Sequence, residues 1–197
     1  MNTLDNIHTR RSTRKLKDTM ITDEELGCLI EAGRCAPCGS NSQQVHFIVI
    51  QNREVLDKLA QLCREEFAKM EITEDTYVSL KNSILASRKG NYAFHYNAPL
   101  LILTAAPRSY GNNIADCACA LENMMLAANE MDLGSCWVNQ VHWLTECEAI
   151  RQYLYQLGMK EEEVICGGLI AGYPDTPDGK PVRTPRNTTG NPVTYVR

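Results

Sequence analysis

A basic segment near the start of the chain carries side chains that suit phosphate binding. Residues 10–17 read RRSTRKLK, although the whole chain has 20 Lys and Arg against 24 Asp and Glu, a net charge of −4. In an extended segment Arg10, Ser12 and Arg14 face the same side, because side chains alternate along an extended backbone. Two guanidinium groups around a hydroxyl suit a phosphate group. The pattern therefore indicates an anion site, and the alternative is a solvated basic surface.

A second basic set lies in the last part of the chain. Lys180, Arg183 and Arg186 occur within residues 174–197, a segment that contains five prolines. Such a segment does not form a regular helix or strand, so we expect it to run over a surface. If it folds back onto the first basic set, a phosphomonoester would be held from both sides.

A polar loop follows the first long predicted helix. Residues 38–43 read CGSNSQ, with side-chain amides at Asn41 and Gln43 and backbone N–H groups near Gly39. Amides both donate and accept hydrogen bonds, so this set suits the edge of a planar heterocycle better than it suits acid–base chemistry. The alternative is an ordinary polar turn.

Cys35 and Cys38 form a C-x-x-C pair, which is typical of a redox dithiol or half of a metal site. An activated dithiol needs its first cysteine at a helix N-terminus, but this pair follows the C-terminal end of a predicted helix. A structural zinc site needs about four ligands, and no second C-x-x-C occurs. We therefore predict no metal site and no required redox couple. The chain has nine cysteines, an odd number, and we expect no disulfide framework; those in apolar runs, Cys28, Cys63 and Cys166, are expected to be buried.

Composition and missing motifs exclude several classes of protein. The net negative charge argues against a nucleic-acid partner. The longest apolar runs, such as residues 99–103, are too short to cross a bilayer, and the first residues show no apolar signal segment. We therefore expect a cytoplasmic protein with no membrane partner. Glycine-rich nucleotide loops, H-E-x-x-H and G-x-S-x-G are also absent from the sequence.

The elements that would position these groups alternate between helix and strand. Helix starts are predicted by a capping box at Thr22 and Glu25, by Asn52, and by a second capping box at Thr145 and Glu148. The predicted helices cover residues 3–8, 23–36, 53–69, 74–87, 113–131 and 146–157. The predicted strands cover residues 45–51, 100–106, 134–138 and 164–173.

This order of elements predicts one sheet covered by helices. The helix at residues 113–131 is apolar on more than one face, so we expect a second subunit to cover part of it. We expect a single domain over residues 1–173 and an irregular tail over residues 174–197, which packs over the core or over the partner subunit.

Four motifs, in order, resemble the FMN-dependent nitroreductase superfamily. They are RRSTR at residues 10–14, APCGSNSQQVHFIVI at 36–50, LGSCW at 133–137, and GYP at 172–174 followed by Arg183-Thr184-Pro185. The resemblance covers nearly the whole chain. It implies an α+β fold with a central, mostly antiparallel sheet flanked by helices. It also implies an intertwined homodimer with exchanged terminal segments and two FMN sites at the interface.

The resemblance further implies which residues bind the cofactor. Arg10, Ser12 and Arg14 would hold the phosphate and ribityl end of FMN, with Arg11 alongside and Arg183 reaching the phosphate from the tail. The partner subunit would contribute a loop, and the backbone after the third strand would line the isoalloxazine ring. The loop residues are Pro37, Cys38, Gly39, Asn41 and Gln43, and the ring-lining residues are Trp137, Val138, Asn139 and Gln140.

The chain departs from the family pattern at two places. Gln44 and Val45 stand where the family has Pro-Trp, which removes a large aromatic contact, and Cys38 replaces the usual serine. A thiol is a weaker hydrogen-bond partner than a hydroxyl. Residues 71–98, which shape substrate access in the family, match none of its motifs.

The activity implied by the resemblance is that of an FMN-dependent oxidoreductase. NADH or NADPH would pass hydride to flavin N5 and leave, and a small-molecule acceptor such as a nitro, quinone or enone compound would then take the electrons, in a ping-pong sequence. The chemistry would belong to the flavin, with no catalytic side chain. The alternatives are a flavin-binding carrier or sensor without turnover, and a colourless dithiol protein that uses Cys35 and Cys38.

Overall fold

The computed structural model describes residues 1–185 and 190–197. Within these ranges the chain forms helices and strands in an alternating order. The helices are α1 (Thr3–Thr9), α2 (Asp23–Arg34), α3 (Arg53–Lys69), α4 (Val78–Arg88), α5 (Asn113–Glu130), α6 (Gln140–Trp143) and α7 (Glu148–Gln156). The strands are β1 (His46–Ile50), β2 (Leu100–Pro107), β3 (Gly134–Val138) and β4 (Glu163–Gly172).

The four strands form one antiparallel sheet in the order β1-β2-β4-β3. β2 and β4 lie in the centre, which is why both read as nearly unbroken apolar runs rather than as alternating ones. Gly167 pairs with Thr104 and Ile165 with Ala105, so Cys166 is the extra residue of a bulge. The expected α+β fold with an antiparallel sheet is therefore confirmed.

Side-chain alternation along β2 divides the core between the two faces of the sheet. Leu101 and Leu103 pack with the apolar side chains of α3, α4 and α7 on one face. Leu100 and Ile102 pack with those of α2 and α5 on the other face. Because β2 is covered on both faces, its residues 100–106 are fully buried.

The capping residues show which helix starts can be predicted from local sequence. The Asn52 side chain accepts from the Val55 N–H at 3.2 Å, and the capping box of Thr22 and Glu25 is present. The second predicted capping box is wrong. The Thr145 hydroxyl accepts instead from the Ile165 N–H of β4 at 3.2 Å, and α7 begins at Glu148.

Two further helix predictions need correction, and so does one cysteine. α4 begins at Val78 rather than at residue 74, and the short helix α6 was not predicted. Cys63 and Cys166 are buried as expected, but Cys28 is exposed. The reason is its position on α2, where Leu29 and Gly33 face the core and Cys28 lies on the solvent side.

The described part of the tail packs on the core near its start. Pro174 pairs with Leu16, and Pro181 is buried. Residues 190–197 have exposed side chains, with Val196 95% exposed. The division of the chain at residue 173 stays a prediction.

His95 is a fully buried histidine in the turn before β2. Neither of its ring nitrogens has a hydrogen-bond partner among the described residues. Its ring lies edge-on to Phe94, with 5.5 Å between ring centres. Burial, followed by the nearby Arg53 guanidinium, lowers the pKa of His95, while Asp57 acts in the opposite direction. The neutral form is therefore the one that fits the fold.

This burial predicts a pH dependence of stability. The unfolded chain takes up a proton on His95 near pH 6.5, whereas the folded chain takes it up only at lower pH, so the free energy of unfolding falls as the pH drops below about 6.5. One such group contributes a slope of up to about 1.36 kcal/mol per pH unit. Urea unfolding between pH 7.5 and 5 should show a smaller pH slope for His95→Leu than for the wild type. Identical slopes would contradict this assignment.

Candidate functional site

Residues 12–17 form an extended segment, here called the edge strap, along the open side of β3. Ser12 pairs with Ser135, and the Thr13 N–H donates to the Ser135 carbonyl at 2.8 Å. Gly134 permits this close approach, since a Cβ at that position would lie 2.7 Å from side-chain atoms of both Thr13 and Leu16. The strap therefore keeps the basic segment extended, as the alternation of its side chains requires.

A cavity of about 640 Å³ opens beside the strap and is called the anion cavity here. It is lined by four residues of the segment 10–14, by two residues of α1 and by one residue of the tail: Arg10, Arg11, Ser12, Arg14, Ile7, His8 and Pro185. The Nε of Arg10 is buried and makes no hydrogen bond to any described residue, although it lies 3.4 Å from a Glu122 carboxylate oxygen. A buried N–H without a partner favours an acceptor from a ligand.

A second cavity, of about 460 Å³, shares Arg14 with the anion cavity and is called the aromatic cavity here. α4 and residues 92–96 form one wall, and the turn after β3 forms the other. Its lining residues are Arg14, Tyr77, Ser79, Asn82, Ser83, Ala86, Tyr92, Tyr96, Trp137, Val138, Asn139, Gln140 and Trp143. The Arg14 guanidinium carbon lies 5.7 Å from the centre of the Tyr96 ring, within cation–π range.

The turn from β3 into α6 brings the four predicted ring-lining residues to this cavity. β3 ends at Val138 and α6 begins at Gln140. The Trp137 indole N–H donates to Asn139 Oδ1, which fixes the indole at the end of the strand. The Gln140 side-chain amide donates to the Tyr92 hydroxyl at 2.9 Å, which joins the two walls.

The predicted loop lies on a separate cleft of about 450 Å³, which shares no lining residue with the other two cavities. Pro37, Cys38 and Gln43 line this cleft, while Gly39 and Asn41 lie in the 3₁₀ turn between them. The Cys38 sulfur accepts from the Gln43 N–H at 3.4 Å. Within one chain, the loop residues are therefore not gathered around the two connected cavities.

The loop is held in an unusual backbone conformation by α5. Ser40, Asn41 and Gln43 have φ values of 53°, 52° and 50°, in the left-handed region that side chains rarely adopt. The Gly39 N–H donates to Asp116 Oδ2 at 3.3 Å, and Tyr110 donates to the same oxygen at 2.7 Å. Such a conformation, fixed by its surroundings, is common at binding sites.

Arg183 is paired with acidic and amide groups at the end of α5. Its guanidinium lies 2.6 Å from Asp132 Oδ1 and donates to the side chain and carbonyl of Asn129. Lys180 also pairs with Asp132, at 3.3 Å, and Arg186 lies outside the described residues. Among the described tail residues, Pro185 lines the anion cavity and Arg183 does not.

Several residues of the aromatic cavity were missed by sequence reasoning. Tyr92, Tyr96 and Ser83 come from residues 71–98, where the sequence shows no motif. Trp143 lies at the end of α6, a helix that the sequence pattern does not predict, so its place in the cavity is not predicted either. A run of aromatic and small polar side chains was the available signal, but it does not distinguish a cavity wall from an ordinary surface. In the described part of the chain, no helix is long and apolar enough to cross a bilayer, and no cluster of acidic, Cys or His side chains is arranged to hold a metal ion.

Known proteins share both this fold and the span that carries these cavities. A model of the nitroreductase family matches residues 7–173, which include the edge strap, α4 and the turn after β3. The chain belongs to the nitroreductase family. The family resemblance of the four motifs is thereby confirmed.

Individual nitroreductase relatives agree in fold over the full chain. A nitroreductase with bound FMN from Bacteroides fragilis superposes with a TM-score of 0.85 at 29% identity, and both chains are covered completely. A nitroreductase with bound FMN from Desulfitobacterium hafniense gives 0.81 at 26% identity, again over the whole of both chains. In sequence, the FMN reductase (NADPH) of Bacillus subtilis is 24% identical over 98% of this chain and 74% of its own length.

Proposed function

We propose that this nitroreductase is an FMN-dependent oxidoreductase that uses NADH or NADPH to reduce a small nitro, quinone or enone compound in a ping-pong sequence. The observation that carries the proposal is the meeting of a basic and an aromatic cavity at Arg14. The relatives support it, because two similar structures hold FMN and one similar protein is an FMN reductase that uses NADPH. The expected cytoplasmic location stays a prediction.

The anion cavity fits the phosphate end of FMN. The buried Arg10 N–H has no hydrogen-bond partner among the described residues, and a phosphate oxygen would supply one. Ser12 and Arg14 line the same cavity, and Arg11 adds a further positive charge. In this proposal these residues bind the dianion through charge-assisted hydrogen bonds and so fix where the rest of the cofactor lies.

The aromatic cavity fits a flat conjugated ring. FMN, when bound, supplies hydride transfer at its N5 atom, chemistry that protein side chains do not provide. Trp137 and Val138 would line the ring, Asn139 and Gln140 would offer polar groups at its edge, and the α4 wall would exclude water. These tasks are binding, orientation and desolvation, so no side chain is required to act as acid, base or nucleophile.

Arg183 takes a secondary place in this proposal. To bind the phosphate, its guanidinium must give up the contact with Asp132, whose pKa is lowered chiefly by the Arg183 hydrogen bond, against the effect of burial. Breaking an ion pair offsets part of what a new one contributes. Arg10 also lies near an acidic group, Glu122, but it lines the cavity as Arg14 does and Arg183 does not, so Arg10 and Arg14 are the main phosphate anchors in this proposal.

A homodimer would bring the separate loop cleft into the site. Residues 37–43 line neither the anion cavity nor the aromatic cavity of their own chain. They would therefore contact a flavin only if it were bound at the site of the partner subunit. The chain also leaves apolar side chains uncovered, since Ile114 on α5 is 57% exposed and Leu4 on α1 is 66% exposed. A second copy would cover such surfaces.

We therefore predict a stable dimer in solution. Sedimentation equilibrium should give twice the 22.1 kDa of one chain across the micromolar range, because the flavin site needs both copies. Flavin content, read from the absorbance near 450 nm, should be about one per chain. A species of 22.1 kDa with flavin fully bound would contradict the dimer.

Anaerobic mixing with NADH or NADPH tests the proposed activity. Protein purified with FMN should lose its flavin absorbance within seconds and regain it when a quinone or nitro compound is added. Initial rates at several donor concentrations should give parallel double-reciprocal lines. Yellow protein that neither donor bleaches would instead support the carrier or sensor, and colourless protein with reversible thiols would support the dithiol alternative.

Cys38→Ser tests whether the C-x-x-C pair has a redox role. The Cys38 sulfur acts as an acceptor for the Gln43 N–H, and Cys35 lies exposed at the C-terminal end of α2, where no helix dipole activates a thiol. A serine hydroxyl accepts the same bond, so flavin content and the rate of flavin reduction by NADH should stay within about twofold of the wild type. Loss of flavin reduction with unchanged flavin content would revive the dithiol alternative.

A further inference from the structure

Two residues at and just before the start of α5 hold the loop at residues 38–43 by hydrogen bonds. Asp116 Oδ2 accepts from the Tyr110 hydroxyl at 2.7 Å and from the Gly39 N–H at 3.3 Å. The Ser42 hydroxyl donates to the Tyr110 oxygen at 2.9 Å. Asp116 is only 6% exposed, so its carboxylate is largely shielded from water. Tyr110 and Asp116 are called the loop latch here.

The direction of these hydrogen bonds follows from the single proton of each hydroxyl. The Tyr110 hydroxyl is closer to the Asp116 carboxylate, at 2.7 Å, than to the Gly39 carbonyl, at 3.5 Å. Its proton therefore goes to the carboxylate, and its oxygen accepts the proton of Ser42. The latch thus holds the loop at two points, the backbone of Gly39 and the side chain of Ser42.

These two points lie on either side of the strained part of the loop. Ser40 and Asn41, between them, have φ values of 53° and 52°. Residues with a side chain adopt this conformation only where the surrounding structure imposes it. We therefore expect the loop to leave this conformation more often when the latch is removed.

The contact between loop and latch is too close for a side chain at residue 39. A Cβ added to Gly39 would lie 2.4 Å from Asn112 Nδ2 and 2.7 Å from the Tyr110 hydroxyl. Neither Tyr110 nor Asp116 lines the anion cavity or the aromatic cavity of its own chain. Asp116 lines the separate cleft, together with Pro37, Cys38 and Gln43. The latch can therefore reach a ligand only through the loop or that cleft.

We propose that the loop latch sets the FMN affinity of the partner subunit's site, by holding residues 38–43 in the conformation that contacts the flavin bound there. Tyr110 and Asp116 are positioning residues, since they act through the loop. The inference rests on the proposed function, in which the loop of one subunit serves the site of the other. It adds that two residues outside both flavin cavities control binding across the interface.

Single substitutions in the latch should weaken FMN binding. Tyr110→Phe removes the hydroxyl that connects Asp116 to Ser42, and Asp116→Asn removes the negative charge that accepts both donors. In each variant the Kd for FMN should rise at least about fivefold, because a smaller fraction of the loops has the binding conformation. Titration of FMN into the unloaded full-length protein, followed by quenching of flavin fluorescence, measures this change.

Tyr153→Phe is the matched control for the loss of a tyrosine hydroxyl. The Tyr153 hydroxyl donates to the Val55 carbonyl at 3.5 Å, and Tyr153 lines none of the three cavities. Its FMN affinity should equal that of the wild type. An equal loss in Tyr153→Phe and Tyr110→Phe would overturn the inference, because it would reflect a general loss of stability.

Mixed dimers show on which site the latch acts. Two chains with different affinity tags are co-expressed, one with Arg10→Ala and the other with Asp116→Asn, and the dimer that carries both tags is purified. If the latch acts on the partner subunit's site, both defects fall on one site and the other site is intact. Half of the sites should then bind FMN with wild-type affinity.

The matched control for the mixed dimer has both substitutions in one chain and a wild-type partner. Each site then carries one defect, so no site should bind FMN with wild-type affinity. A general loss of stability in the substituted chain does not produce this difference between the two dimers. If Asp116→Asn fails to fold, Tyr110→Phe replaces it in both dimers.

Three results would overturn the inference. One is wild-type FMN affinity in both latch variants. Another is the reverse pattern in the mixed dimers, which would mean that the latch supports the site of its own chain. The third is a protein that binds FMN as a monomer. Binding is measured without an electron donor, so failure of NADH to bleach the protein contradicts the proposed activity separately.

Discussion

Replacing Arg10 with alanine is expected to weaken FMN binding by about 10-fold to 150-fold. A charge-assisted hydrogen bond contributes roughly 1.5–3 kcal/mol, and about 1.4 kcal/mol corresponds to a factor of ten in affinity. Arg14→Ala should have an effect of the same size, because Arg14 lines both connected cavities. Titration of FMN into the unloaded protein at fixed salt, followed by quenching of flavin fluorescence, measures both.

Riboflavin and a distant arginine provide the controls. Riboflavin lacks the phosphate, so its affinity should change little in Arg10→Ala. Arg151 on α7 is a matched control, because it pairs with Glu148 and lines none of the three cavities. A small, equal loss of FMN affinity in Arg10→Ala, Arg14→Ala and Arg151→Ala would indicate a diffuse electrostatic attraction rather than a phosphate site. An equal loss for riboflavin would mean that the arginines support the fold.

Phe67→Ala is expected to lower the free energy of unfolding by about 3–5 kcal/mol. Phe67 on α3 is fully buried, and its ring packs edge-on against Tyr92 and Trp143, with ring centres 6.4 Å and 6.5 Å apart. Removing the ring leaves a void directly behind the aromatic cavity. Urea unfolding measures the loss, and the emission of Trp143 should shift to the red as water reaches it.

Two further substitutions serve as comparisons for the stability loss expected in Phe67→Ala. Phe67→Leu keeps most of the volume and should lose less than half as much stability as Phe67→Ala. Val182→Ala removes an apolar side chain that is 59% exposed and should change the free energy of unfolding by less than about 0.5 kcal/mol. A loss below about 1 kcal/mol in Phe67→Ala would contradict the supporting role given to this ring.

Local signals located most of the elements, and long-range bonds explain where those signals failed. Asn52 and Thr22 cap helices as predicted, because each bonds to an N–H three residues ahead. Thr145 has the same local pattern, yet its hydroxyl bonds to Ile165, 20 residues away on β4. Local sequence does not show which of two available partners a hydroxyl will choose.

The candidate site also contains parts that local sequence predicts and parts that depend on long-range contacts. The arginines at residues 10–14 and the turn after β3 could be predicted, since both lie in recognisable motifs and meet through a single edge strand. The Tyr92 wall could not, because its bond to Gln140 joins residues 48 positions apart in a segment without a motif. The pairing of Arg183 with Asp132 was equally hidden, since nothing local distinguishes an arginine paired within its own chain from one held ready for a phosphate.

The edge strap has a consequence for solubility. By pairing with Ser135 it covers the outer side of β3 near the start of that strand, where the edge otherwise presents unpaired backbone N–H and C=O groups. The strap starts two residues after Arg10, so under the proposed assignment of the anion cavity to the FMN phosphate, we expect loss of FMN to leave the same segment less firmly anchored. Release of the strap exposes a strand edge that another molecule can extend into a larger sheet. We therefore expect loss of cofactor and the onset of aggregation to be linked through these six residues, and added FMN to protect the stored protein against both.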